Sequence, residues 1–254
     1  MIIALTRAVA PAIGRCELTY RSREAIDVGC AERQHLAYER ALERAGCRVE
    51  RVRPEPELPD GVFVEDTAVV LDEVAILTRP GAAGRRAETP SVADALASRR
   101  RLFAIEAPGT IDGGDVLRIG RSLWVGVGGR TNAEGFEQFR AWLSPLGYEV
   151  HAAVATNCLH LKSAVTCVAD GTVLVHPGWV DCRSLAGLRC IEVDPGEPSA
   201  ANALLVNGTL LCAEAYPRTR ARLEAHGIEV SPVDMSELAK AEGALTCCCL
   251  IIEV

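Results

Sequence analysis

Apolar, β-prone runs recur along the chain in pairs, each split by a polar or glycine turn. Phe63-Val64 with Ala68-Val69-Val70 is followed by Val74-Ala75-Ile76-Leu77, and residues 115–119 by residues 122–126. Residues 164–168 are followed, across Asp170-Gly171, by residues 172–175. Residues 202–206 are followed, across Asn207-Gly208, by residues 209–212. Runs of this length bounded by turn residues read as strands. Asp-Gly and Asn-Gly are the strongest short hairpin signals, because both turn positions tolerate positive φ. Helical spacing fills the gaps between pairs. Tyr38, Ala41, Leu42 and Ala45 share one face, and Gly46 ends that run. Phe136, Phe139 and Leu143 follow a Thr131-x-x-Glu134 capping box, and a third helix is expected from Pro217 to Gly227.

One pair is incomplete. Residues 245–254 have no hairpin partner after them, and residues 2–5 have none before them. Pairing the two segments closes a ring and removes both exposed edges. The pattern therefore predicts an α/β fold, a five-bladed α/β propeller of pseudo-symmetric strand-pair-plus-helix repeats around a central channel. One catalytic domain is expected to occupy residues 1–254, its N-terminal strand closing the ring with the C-terminal strand.

Composition narrows the function. With 254 residues and 49% hydrophobic content there is ample core. A net charge of −7 argues against nucleic acid, which needs a basic surface. No apolar run is long enough to span a membrane. The N-terminus lacks signal-peptide features, so a cytoplasmic location is expected. Eleven irregularly spaced cysteines without any CxxC pair suggest reduced thiols rather than a disulfide framework or a structural zinc site.

Just before the first strand of each pair stands one polar residue: Asp66, Asp112, His160, Asn202 and Cys247, successive members 42 to 48 residues apart. In a closed radial repeat such positions face one axis, so a thiol, an imidazole and carboxylates converge. A cysteine becomes nucleophilic when a nearby base or cation favours the thiolate, and His160 is a candidate for that partner and for the acid that protonates a leaving amine. Asp112 would orient the imidazole. Glu65 beside Asp66 suits a planar, cationic donor group, while Arg85 and Arg130 suit a carboxylate. Acids at one end and arginines at the other match a zwitterionic amino acid with a guanidino tail.

These stretches resemble the dimethylarginine dimethylaminohydrolase family of the guanidino-modifying, or pentein, superfamily. The matching segments are residues 58–66, Thr78-Arg79-Pro80-Gly81-Ala82 with Arg85-Arg86, and Asp112-Gly113-Gly114-Asp115. They continue through Arg130-Thr131-Asn132, Leu159-His160-Leu161-Lys162, Ala200-Ala201-Asn202 and Leu245-Thr246-Cys247-Cys248. The resemblance implies that Cys247 is the nucleophile, His160 the general acid/base and Asp112 its orienting group. It further implies that Glu65 and Asp66 hold the guanidinium, Asp60 meets the α-amino group, Arg85 and Arg130 grip the carboxylate, and Leu18 lies in a mobile lid. Attack by Cys247 would expel an amine and leave an S-alkylthiouronium, which water would release as a ureido product such as citrulline. No cofactor and no metal is implied. The partner expected is a small guanidino amino acid, with no nucleic acid, no membrane, and at most a second copy of the chain in a homodimer.

Two features depart from that pattern. Gly126-Val127-Gly128-Gly129 is unusually glycine-rich. Strand alternation through Cys247-Cys248-Cys249 places the outer two thiols on one face, roughly 7 Å apart, with Cys249 either packing or redox-sensitive. Competing readings keep the mechanism and change the substrate to arginine, another N-substituted arginine or citrulline. An amidinotransferase, a non-catalytic binding protein of the same fold, and a zinc hydrolase built on Cys247 and His160 are the remaining alternatives.

Overall fold

The computed structural model describes residues 1–185 and 187–254. The strand pairs form as their alternation requires, and each gains a third strand. β1 (Ile2–Thr6) runs parallel to β2 (Cys47–Arg51). The next sheet comprises β3 (Ala68–Val70), β4 (Val74–Leu77) and β5 (Arg101–Ala104), and the one after it β6 (Val116–Ile119), β7 (Ser122–Gly126) and β8 (Glu149–Ala153). Then come β9 (Val165–Ala169), β10 (Thr172–Val175) and β11 (Arg189–Glu192), followed by β12 (Ala203–Val206), β13 (Thr209–Ala213) and β14 (Val230–Val233). Finally β15 (Leu250–Glu253) pairs antiparallel with β1, Ile252 opposite Ile3. Among the described residues there are thus five three-stranded sheets, each with one antiparallel and one parallel ladder.

A parallel neighbour needs a crossover, and helices supply it. They are α1 (Val28–Arg44), α2 (Thr89–Leu96), α3 (Ala133–Leu143) and α4 (Pro217–Ala225); the fourth sheet instead has a short 3-10 turn, Cys182–Leu185, between β10 and β11. Apolar clusters fill the seams between neighbouring sheets. Tyr38 and Leu42 of α1 meet Leu211 of β13, and Ile3 and Ile252 meet Ala75 and Leu96. Ile76 packs with Val125 and Phe139, Trp124 with Val175, and Leu174 with Leu210 and Leu223. No sheet buries its apolar faces alone, so the ring must close. The first strands β3, β6, β9, β12 and β15 surround a central channel of about 570 Å³. This is the five-bladed α/β propeller expected.

Local expectations are revised at four places. Residues 64–67 form a 3-10 turn rather than strand, and α2 arises where no helix was expected. The N-cap of α3 is Asn132, whose side chain accepts from the Gly135 N–H, while Thr131 turns inward. Cys247 lies in the 3-10 turn Thr246–Cys248, and the strand starts only at Leu250, so strand alternation does not govern the three thiols. Cys248 and Cys249 are both buried in the apolar cluster that holds Tyr38.

Candidate active site

The five repeat-related residues sit in or beside the short helical turns that precede the inner strands. Asp66 is in Val64–Thr67, Asp112 precedes Gly113–Asp115, and His160 precedes the single α-turn Leu161–Ala164. Asn202 follows Pro198–Ala201, and Cys247 is in Thr246–Cys248. The equivalence read from spacing is therefore an equivalence of turns rather than of strand positions.

His160 is nearly fully buried, with its Nε2 3.0 Å from Asp112 Oδ2 and its Nδ1 3.8 Å from Asp66 Oδ1. The other Asp112 oxygen accepts from the Gly81 N–H at 2.8 Å. Asp66 accepts from the Gly114 N–H at 2.9 Å and from the Arg85 guanidinium. These approaches need glycine. A Cβ on Gly113 would stand 2.0 Å from the Glu65 carbonyl oxygen, and one on Gly114 would stand 2.5 Å from His160 Nδ1.

A small, partly enclosed cavity of about 20 Å³ is lined by Cys247, His160, Asp66, Asp60, Arg85, Arg130 and Glu17, among others. His160 and Cys247 share it, yet no hydrogen bond joins them among the described residues. Asp60 is buried, and among the described residues its carboxylate accepts from the Glu17 N–H alone, at 3.1 and 3.3 Å. Leu18 is half-buried against the apolar cluster that also touches Cys247. The two arginines differ. Arg85 is buried and spends its donors on Asp66, on Glu88 at 2.8 and 3.1 Å, and on the Phe63 carbonyl at 3.0 Å. Arg130 is half-buried, donates to Thr19 Oγ1 at 3.0 Å, and has no carboxylate partner among the described residues. Glu65 lies elsewhere. Its oxygens take Lys162 Nζ at 2.5 Å and Thr246 Oγ1 at 2.8 Å, and it lines the central channel rather than the small cavity. Asn202 braces that wall by donating to Thr246 Oγ1 at 2.9 Å and accepting from the Thr246 N–H at 3.1 Å.

Charge follows from these neighbours. Burial pulls the His160 pKa down, but the carboxylates of Asp66, Asp112 and Asp115 outweigh it and hold the imidazole up to about 9. Burial raises the Asp66 carboxyl, and the stronger pull of His160 and Arg85 leaves it well below the usual carboxylate range. Burial, then Glu65 and Asp66, push the Cys247 thiol far above its ordinary value. Both shifts run the same way, favouring a protonated imidazole at His160 and a neutral thiol at Cys247.

The chain is 45% identical to the N(G),N(G)-dimethylarginine dimethylaminohydrolase of Streptomyces coelicolor over 249 residues, 96% of this chain and 94% of that one. It belongs to the dimethylarginine dimethylaminohydrolase family. Solved structures of the family agree. A dimethylarginine dimethylaminohydrolase adduct with S-methyl-L-thiocitrulline superposes with a TM-score of 0.92 at 33% identity, covering 99% of this chain and 98% of the other. The Pseudomonas aeruginosa enzyme, as a cysteine-to-serine variant complexed with citrulline, gives 0.90 at 32% identity with the same coverage. No family model matches the chain.

Within this family frame, the structure adds residues to which the sequence assigned no role. Asp115 is buried, accepts from Thr131 Oγ1 at 2.7 Å and from the Leu161 N–H at 3.0 Å, and so fixes the turn that carries His160. Burial pushes its carboxyl up to about 6. Its place at the end of the Asp-Gly-Gly-Asp run was the only hint in the sequence. Asp66, Asp112 and His160 offer ligand atoms within 4.8 Å of one another. A metal ion there would have to displace Arg85 from Asp66 and strip the proton from His160, so the existing cations already do the balancing.

Proposed function

We propose that this chain hydrolyses N-omega-methylated arginines to citrulline and methylamine or dimethylamine, residues 1–254 acting as one catalytic unit. One observation carries the reading: Cys247, His160, Asp66, Asp60 and Arg130, which has no carboxylate partner among the described residues, all border a single cavity. The relatives named above act on dimethylarginine or hold citrulline, which fits that donor set.

The substrate guanidinium is held by Asp66, its α-amino group by Asp60, and its carboxylate by Arg130. Arg85, its donors committed to Asp66, Glu88 and the Phe63 carbonyl, holds Asp66 in place. Glu65 acts from behind, through Thr246 and Lys162, on the turn bearing Cys247. The bound cation offsets the charge of Asp66 and Glu65, so the Cys247 proton leaves to water and the thiolate forms beside its target. The sulfur attacks the guanidino carbon. The C–N bond to the methylated nitrogen breaks as the His160 imidazolium protonates the departing amine, leaving an S-alkylthiouronium on Cys247. The now neutral His160 takes a proton from water, whose oxygen attacks the same carbon. The C–S bond breaks, the hydroxyl proton of the adduct passes to the departing sulfur and restores the Cys247 thiol, and citrulline leaves with His160 again protonated.

The test is citrulline release from asymmetric dimethylarginine, monomethylarginine and arginine in parallel, for the parent chain and Cys247→Ser. Turnover of the methylated substrates and a loss of about 10³-fold or more in Cys247→Ser are expected. Undiminished turnover by Cys247→Ser would sink the mechanism. Release from arginine alone would reassign the substrate.

A further inference from the structure

Residues 17–25 run from the edge of the cavity, which Glu17 lines, with little apolar anchorage: Leu18 is half-buried, while Glu17 and residues 19–25 are exposed. The hydrophobic effect therefore does little to hold this segment in place, and polar contacts must. The strongest of them comes from the far end of the chain. The backbone N–H groups of Thr19, Tyr20 and Arg21 all donate to the carboxylate of Glu242, at 2.5 to 3.2 Å. Oε1 takes all three, and Oε2 shares Thr19. Glu242 is half-buried, lines the catalytic cavity, and is held at a φ of 58°, a conformation most side chains avoid. Its neighbour Gly243 could not carry a Cβ, which would stand 2.1 Å from the Phe63 ring. The turn is thus fixed from below, and its carboxylate is aimed at the lid.

We propose that Glu242 is the positioning residue that latches the lid shut over bound substrate. Three charge-assisted bonds converge on one acceptor, so the latch forms or breaks as a unit. The cavity in this latched state is about 20 Å³, room for about one water molecule, so admitting an amino acid requires the latch to open and the cavity to widen around the substrate before the latch re-forms. Closure then brings Glu17 and Leu18 onto the site and lets Thr19 meet Arg130, which ties the lid to the residue that grips the carboxylate. Three smaller contacts complete the closed state: the Glu17 N–H on Asp60, the Arg23 guanidinium on the carbonyls of Gly14 and Cys16, and Lys240 Nζ on the Ala25 carbonyl at 3.1 Å. None of these sets the lid's height as the Glu242 carboxylate does. The proposal rests on the substrate reading above for its kinetic consequence, but not for its structural one.

Two variants separate the carboxylate from the backbone strain. Glu242→Gln keeps size and one acceptor oxygen, whereas Glu242→Gly removes the acceptor and accepts the positive φ without penalty. Limited trypsin digestion reads the lid directly, because Arg21 and Arg23 are exposed sites within it. Cleavage there is expected to be about fivefold or more faster in Glu242→Gly than in the parent, with Glu242→Gln between them, at unchanged thermal midpoint. In turnover assays KM for the methylated substrate is expected to rise about tenfold in Glu242→Gly, with a smaller change in kcat. Lid cleavage at the parental rate in both variants overturns the proposal, as does faster cleavage with a parental KM. If the parent turns over no arginine derivative, the substrate reading fails alone, and the digestion still decides the latch.

Discussion

His160 owes its charge to acids brought from two other blades. Free histidine titrates near 6.5, and here Asp66, Asp112 and Asp115 overcome burial to hold it up to about 9. Because the folded value is raised, the stability this charge contributes is full below about pH 6.5 and is lost as pH rises through about 9. In the mechanism proposed above, the same titration removes the acid that protonates the leaving amine. The kcat of the parent is therefore expected to fall above about pH 9, and Asp112→Asn to move that limb about one unit or more lower, measured as kcat against pH. An unmoved limb would mean that Asp112 does not set the proton affinity of His160. Cys247 carries the complementary lesson. Burial first, and then the carboxylates of Glu65 and Asp66, raise the thiol and oppose the thiolate that a neighbouring imidazole was expected to favour.

At the scale of elements, the decisive parts are the short turns before the inner strands. The Asp112-Gly113-Gly114-Asp115 turn lies flat against the Glu65 backbone and the His160 ring, which only glycines permit. Gly114→Ala is expected to push His160 and Asp66 apart and lower kcat by about 10²-fold or more, with a much smaller loss of stability, read by turnover and thermal melting together. Near-parental turnover would show that the turn can shift without cost. The same scale shows how legible the sequence was. Inner hairpins were readable because buried faces impose period two and Asp-Gly or Asn-Gly imposes the turn; Asn207 and Gly208 indeed both have positive φ. Third strands such as Arg101–Ala104 and Glu149–Ala153 were not, because they are edge strands with most residues at least partly exposed and no clean alternation. The turn at Cys247 was misread as strand because its residues are apolar enough for either.

For the whole molecule, closure of the ring is the structural fact on which the site depends. Asp66, Asp112, His160 and Cys247 come from four different blades and meet only if β15 joins β1. Ile3 and Ile252 face each other there, both buried. Ile252→Ala is expected to cost about 2–5 kcal/mol in a urea titration, because a cavity would open in a seam shared by two sheets. A cost below about 1 kcal/mol would show that the seam relaxes and the closure is not under tension from packing.

The sequence by itself determined the repeat, the ring and the members of the reactive set, since hydrophobic period and turn chemistry are local and the equivalence of positions follows from spacing. Only the tertiary structure decided how those members divide their work. It put Glu65 on the channel with Lys162 and Thr246, committed Arg85 to Asp66 and Glu88, left Arg130 without a carboxylate partner among the described residues, and set Glu242 against the backbone of residues 19–21. The physical reason is that charge pairing and proton affinity depend on distance through space and on exclusion of water. Residues 181 positions apart, as Thr246 and Glu65 are, acquire both only when the ring closes.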